Sequence, residues 1–140
     1  SSQKDMFQPF YRFCELYMVI YAYTLRRRIN AEVSMFARTV SLQLKPNSVA
    51  EFTKTIENDI IPLLRPQPGF QDEIAFVVPG GTEAMSVSVW DDKVHVEAYQ
   101  RDTDPAVLKA LAHVIEGTPQ VRIYEVSNST FHNIVARVAV

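Results

Sequence analysis

The tripeptide Pro79-Gly80-Gly81 stands between two segments of strand character, residues 70–78 (FQDEIAFVV) and 83–90 (EAMSVSVW). Glycine takes positive φ without steric penalty, so this junction predicts a tight turn and an antiparallel hairpin. The hairpin constrains the chain strongly, because a strand signal and a helix signal precede it, and helix signals and then strand signals follow it. Before it, residues 36–44 (FARTVSLQL) alternate. Phe36, Val40, Leu42 and Leu44 share one face, where Arg38 is discordant; Ala37, Thr39, Ser41 and Gln43 share the other. Arg38 there suggests a sheet edge, an ion pair, or contact with an anionic ligand. Pro46 and Asn47 end the strand. Ser48 and Glu51 have the spacing of a capping box. Val49, Phe52, Ile56, Ile60 and Leu63 then recur every three or four residues as a core stripe, and Pro62 and Pro66 end or kink the helix.

After the hairpin, Asp91 or Asp92 can cap a short helix with Val94 and Ala98 as its inward pair. Asp104-Pro105 opens a second helical segment. Leu108, Leu111, Val114 and Ile115 form its apolar side, and Gly117 suits its C-terminal cap. Residues 121–126 (VRIYEV) read as the fourth strand, and 131–140 as a β tail. The order from Met35 is β-α-β-β-α-β. It predicts an α+β, ferredoxin-like fold with a four-stranded antiparallel sheet and both helices on one face. Alternation assigns Ala84, Ser86, Ser88 and Trp90 to one face of the third strand, Met85, Val87 and Val89 to the other. With Trp90 placed on the face away from the helices, that face needs a second layer, and a second copy's sheet would supply it.

The 140 residues favour one domain, and a net charge of −2 offers no basic field for nucleic acid. Residues 35–140 account for the regular pattern; residues 1–34 read as a leader or arm outside it. The apolar run Leu16 to Leu25 is half the roughly 20 residues of a membrane span, and Arg26, Arg27 and Arg28 follow it, the reverse of a secretory signal. No integral membrane segment is expected; an amphipathic docking arm is the alternative. The single cysteine, Cys14, excludes an internal disulfide and any multi-cysteine metal cluster. It is compatible with the cytoplasm, where the protein is expected. His95, His113 and His132 are too scattered to predict a metal site, and no G-x-S-x-G elbow accompanies them. His95 and Tyr99 lie one helical turn apart, a spacing that would let the imidazole act as a base beside a phenol donor.

Several features together resemble the antibiotic biosynthesis monooxygenase family of dimeric α+β barrel proteins, over roughly residues 36–126. They are the Pro66-Gln67-Pro68-Gly69-Phe70 run into the second strand, the VSVW ending of the third, Tyr99 nine residues past Trp90, and the closing VRIYEV. The resemblance implies a homodimer with a pocket between sheet and helices for a small hydrophobic or aromatic molecule. Some members oxidise aromatic polyketides with dioxygen without metal or flavin; others bind and degrade haem. On this basis Trp90 and Tyr99 are expected to line the pocket with Thr39, Ser41 and Ser88. The candidate catalytic residues are Trp90, Tyr99 and His95, and no cofactor is expected. A non-catalytic dimeric domain is the alternative. Haem degradation is a second alternative that the sequence disfavours: the first strand lacks the asparagine of haem-degrading members, and Gln100 stands where their axial histidine is expected.

Overall fold

The computed structural model describes residues 8–30 and 34–131, with side chains of the first helix described over 12–25. His132 and, apart from Phe131, the β tail expected over 131–140 lie outside the described residues. The chain forms two compact units, residues 1–33 and 34–140. The first contains helix α1 (Gln8–Asn30), in which Tyr17 and Tyr21, one turn apart, stack with ring centroids at 6.4 Å.

The second unit begins with strand β1 (Phe36–Leu44), bounded as its alternation predicts. Helix α2 (Val49–Thr55) follows, then a π-helical turn (Ile56–Ile60) and a short helix α3 (Ile61–Leu64). Ser48 makes no capping hydrogen bond; its hydroxyl donates to the Pro46 carbonyl at 3.4 Å instead, so the expected capping box is not formed. Pro62 does not end the helix. It sits at the start of α3, where a missing N–H is tolerated, directly after the wider π turn has broken the regular ladder.

Strands β2 (Phe70–Val77) and β3 (Glu83–Trp90) form the hairpin, with Gly80 at φ 71° in its turn. Helix α4 (Lys93–Asp102) is capped by Asp92, whose carboxylate accepts from the Val94 amide at 3.3 Å. Helix α5 (Asp104–Leu111) starts at Asp104-Pro105, and β4 (Ile115–Glu125) closes the sheet. Gly117 caps no helix. At φ 71° it lies inside β4, where pairing with β1 shifts register between Ser41 and Gln43; a bulge of this kind favours glycine.

The sheet order is β2-β3-β1-β4, all antiparallel, which is the ferredoxin-like arrangement. The helix-facing sides of β1 and β3 contribute Val40, Leu42, Leu44, Ala84 and Trp90 to one core. The helices contribute Phe52, Ile56, Ile60, Leu64, Val96, Tyr99, Val107 and Leu111. Fully burying one such large apolar side chain contributes roughly 1.5–3 kcal/mol. Two orientations differ from expectation. Trp90 faces the helices and is fully buried; the uncovered face of β3 carries Met85, Val87 and Val89. On α4 the inward pair is Val96 and Tyr99, while Val94 is 66% exposed, because capping by Asp92 sets the phase of the helix.

Candidate functional site

One cross-strand row carries most of the chemistry. Glu73 on β2 pairs with Ser88 on β3, and Ser88 pairs with Arg38 on β1. Side chains directly opposite on an antiparallel sheet share a face, so all three point toward the helices. A register irregularity between Phe70 and Asp72 makes this possible. Phe70 pairs with Trp90 but Asp72 pairs with Val89, so one extra residue puts Phe70 and Glu73 on the same side.

Arg38 is not at a sheet edge. It lies on an inner strand and is buried. Its Nη2 lies 2.8 Å from Asp104 Oδ2 at the start of α5, its Nε donates to Gln100 Oε1 at 3.2 Å, and its guanidinium carbon lies 5.4 Å from the Tyr99 ring centroid. Ser86 donates to Glu73 Oε1. Burial raises the Glu73 carboxyl from 4.5 to about 7, against the Ser86 hydrogen bond and the Arg38 charge, which lower it. Burial also lifts the Tyr99 phenol above its ordinary range, with Asp104 adding to the rise. For Asp104, burial outweighs Arg38 and the direction is upward. The arrangement therefore keeps one guanidinium among groups that hold protons more readily than they would in water.

These residues enclose a cavity of about 20 Å³ between sheet and helices, lined also by Ile56 and Ile60 of the π turn and by Leu108. Such a volume admits about one water. The π turn bordering it is a feature that recurs at functional sites.

Of the residues expected in the pocket, Tyr99 and Ser88 line this cavity. Trp90 sits behind them, its ring 4.8 Å from Tyr99 and 5.6 Å from Phe70, its indole N–H donating to Ser88 Oγ at 2.8 Å. Thr39 and Ser41 are on the opposite face of the sheet, so the five do not converge. His95 lies outside the cavity lining, with Nδ1 2.7 Å from Asp91 Oδ1. His113 Nε2 lies 3.6 Å from Glu51. The cavity lining contains no histidine, so its donor set does not fit an axial haem ligand of that type. No cluster of three His, Cys, Asp or Glu side chains among the described residues is placed to hold a metal ion. Glu73 carried no signal in the sequence, and Asp104 was legible only as the start of a helix. Arg38, discordant on its apolar strand face, was the one local signal.

Among the described residues of the second unit, no element packs on the other sheet face. Phe76 is 52% and Met85 40% exposed there, and with Ser41, Gln43, Thr118 and Gln120 they border a groove of about 610 Å³. Among the described residues no helix is long and apolar enough to cross a membrane.

The fold is that of the antibiotic biosynthesis monooxygenases. A Bordetella bronchiseptica protein provisionally given that name is 17% identical, with a TM-score of 0.56, over 65% of this chain and 95% of that one. SnoaB, a cofactor-independent oxygenase from Streptomyces nogalater, is 13% identical, with a TM-score of 0.58, over 69% and 97%. The monooxygenase of ActVA-Orf6 from Streptomyces coelicolor, solved with nanaomycin D, is 17% identical, with a TM-score of 0.58, over 67% and 88%. A similar structure from Nitrosomonas europaea has no known function. At these identities the likeness is one of fold. No protein-family model and no curated protein matches the sequence.

Proposed function

We propose that this chain forms a homodimer that binds a small aromatic molecule in the helix–sheet cavity and oxidises it with dioxygen as a cofactor-independent monooxygenase. The observation that carries the reading is that buried Arg38, Tyr99 and Asp104 and half-buried Glu73 face one cavity, where a merely structural layer would place apolar side chains. The oxygenases that share the fold support the reaction class. In such chemistry a deprotonated substrate supplies electrons to dioxygen, and the protein's part is to position the ring, accept its proton and keep water away. The uncovered apolar face supports the dimer. Oxygen-electrode measurements with anthrone and naphthol substrates test the reading: uptake above the buffer rate, lost in Glu73→Gln, is expected.

A second reading, a non-catalytic dimeric domain, is favoured by the small cavity and by a tryptophan sealed in the core. It predicts no uptake above buffer with any substrate and no binding to the cavity.

A further inference from the structure

The buried arginine of the cavity is not fully used by its own neighbours. The Arg38 side chain is 4% exposed. Its Nε is engaged by Gln100, but Nη2 stands against Asp104 without the alignment of a hydrogen bond. A buried donor left without an aligned acceptor costs free energy, and a ligand oxygen could provide one. The groups that face Glu73 are Arg38 from β1, Ser86 and Ser88 from β3, Tyr99 from α4 and Asp104 from α5. Two carboxylates thus share one guanidinium. With Glu73 ionised the set carries net negative charge and repels an anion; with Glu73 protonated it is neutral and Arg38 is open to one.

We propose that the cavity takes a ring-bearing ligand through a single anionic oxygen group held by Arg38, and that Glu73 binds a proton as the ligand enters. The proposal rests on the reading that this cavity is the ligand site. For a ligand that enters as its anion no covalent bond breaks: one proton passes from solvent to Glu73, and the ligand's charge replaces that of the carboxylate beside Arg38; a substrate that enters neutral would give Glu73 that same proton from its own O–H bond. Titration of Glu73 near 7 puts this exchange in the neutral range. The ring would need more room than the cavity of about 20 Å³ offers, so Ile60 of the π turn and Leu108 on α5, which line it, would have to move outward.

Calorimetric titration of the full chain with benzoate tests this, in two buffers of different ionisation heat, at a pH about one unit above the Glu73 value. Quenching of Trp90, the sole tryptophan, gives a second readout. Benzoate is expected to bind with uptake of close to one proton, and its affinity to fall by about tenfold per pH unit above that value. Glu73→Gln is expected to bind it without uptake and with a flat pH profile. Benzamide, the neutral counterpart, is expected to bind at least about tenfold more weakly, in line with loss of one charge-assisted contact. Benzoate binding without proton uptake, equal uptake in Glu73→Gln, or benzamide binding as tightly as benzoate would overturn the proposal and leave the ligand site standing. Failure of both probes to bind the wild type and an Ile60→Ala variant with a widened cavity would overturn the site and the proposal together.

Discussion

Arg38 Nη2 lies 2.8 Å from Asp104 Oδ2, with both side chains at most 10% exposed, tying inner strand β1 to the first residue of α5. Removing one partner of such a pair leaves a buried charge uncompensated. Arg38→Met is therefore expected to lower stability by about 3–5 kcal/mol in urea unfolding, and Arg38→Met with Asp104→Asn to recover at least half of that. A double variant as unstable as the single one would show that the arginine acts through packing alone.

Trp90 is fully buried between Phe70 and Tyr99, with its N–H bonded to Ser88. Trp90→Ala should cost about 3–5 kcal/mol, as for other large-to-small core changes. Trp90→Phe should cost less, since it keeps most of the volume and loses the Ser88 partner. The midpoints of thermal unfolding check both. Loss of ligand binding in Trp90→Ala alone would report unfolding as readily as a lost pocket wall.

Glu73 gives stability a pH dependence whose sign is fixed by its raised value. Its folded value, about 7, exceeds its unfolded 4.5, so the folded state holds more protons between them. Stability is full below 4.5 and declines as pH rises through about 7. Solvent at the edge of β2 screens the group, so the decline should be on the order of 2 kcal/mol. Glu73→Gln should remove it, leaving the variant more stable than wild type above neutrality. Asp104 shifts in the same direction and should leave a residual slope of the same sign in that variant. Chemical denaturation across this range measures both.

Gly69 has φ 79°, and a Cβ there would fall 2.2 Å from Asp91 Oδ1 and 2.3 Å from His95 Nδ1. Gly80 has φ 71° with nothing within 4 Å of such an atom. Gly80→Ala should cost the backbone term alone, roughly 1–2 kcal/mol. Gly69→Ala should cost at least about 1 kcal/mol more, because the Asp91–His95 pair must also move. Equal losses in the two variants would show that this pair yields freely.

The uncovered face carries the proposed dimer contact, with Phe76 and Met85 exposed on adjacent strands. Phe76→Asp with Met85→Glu is expected to shift sedimentation from dimer to monomer while unfolding by urea stays cooperative. A wild type that sediments as a monomer at micromolar concentration would remove the dimer from the proposed function.

The limits of β1 and β3, the hairpin turn and an aspartate cap at 91 or 92 were legible in the sequence. Each is decided by a few neighbouring residues: alternation, Gly at positive φ, a carboxylate one step before a helix. The order of those elements was enough for the ferredoxin-like fold. The face of Trp90 was not legible, because alternation separates two faces without saying which one the helices cover. The phase of α4 was misjudged by one or two residues, which was enough to exchange Val94 for Val96. The meeting of Arg38, Glu73 and Asp104 belonged wholly to the tertiary structure. It depends on the register of β2 with β3 and of β3 with β1, on the extra residue Gln71 in β2, and on where α5 begins. Local patterns along a chain carry strands and caps; only long-range pairing decides which charges are buried together, and against which neighbours.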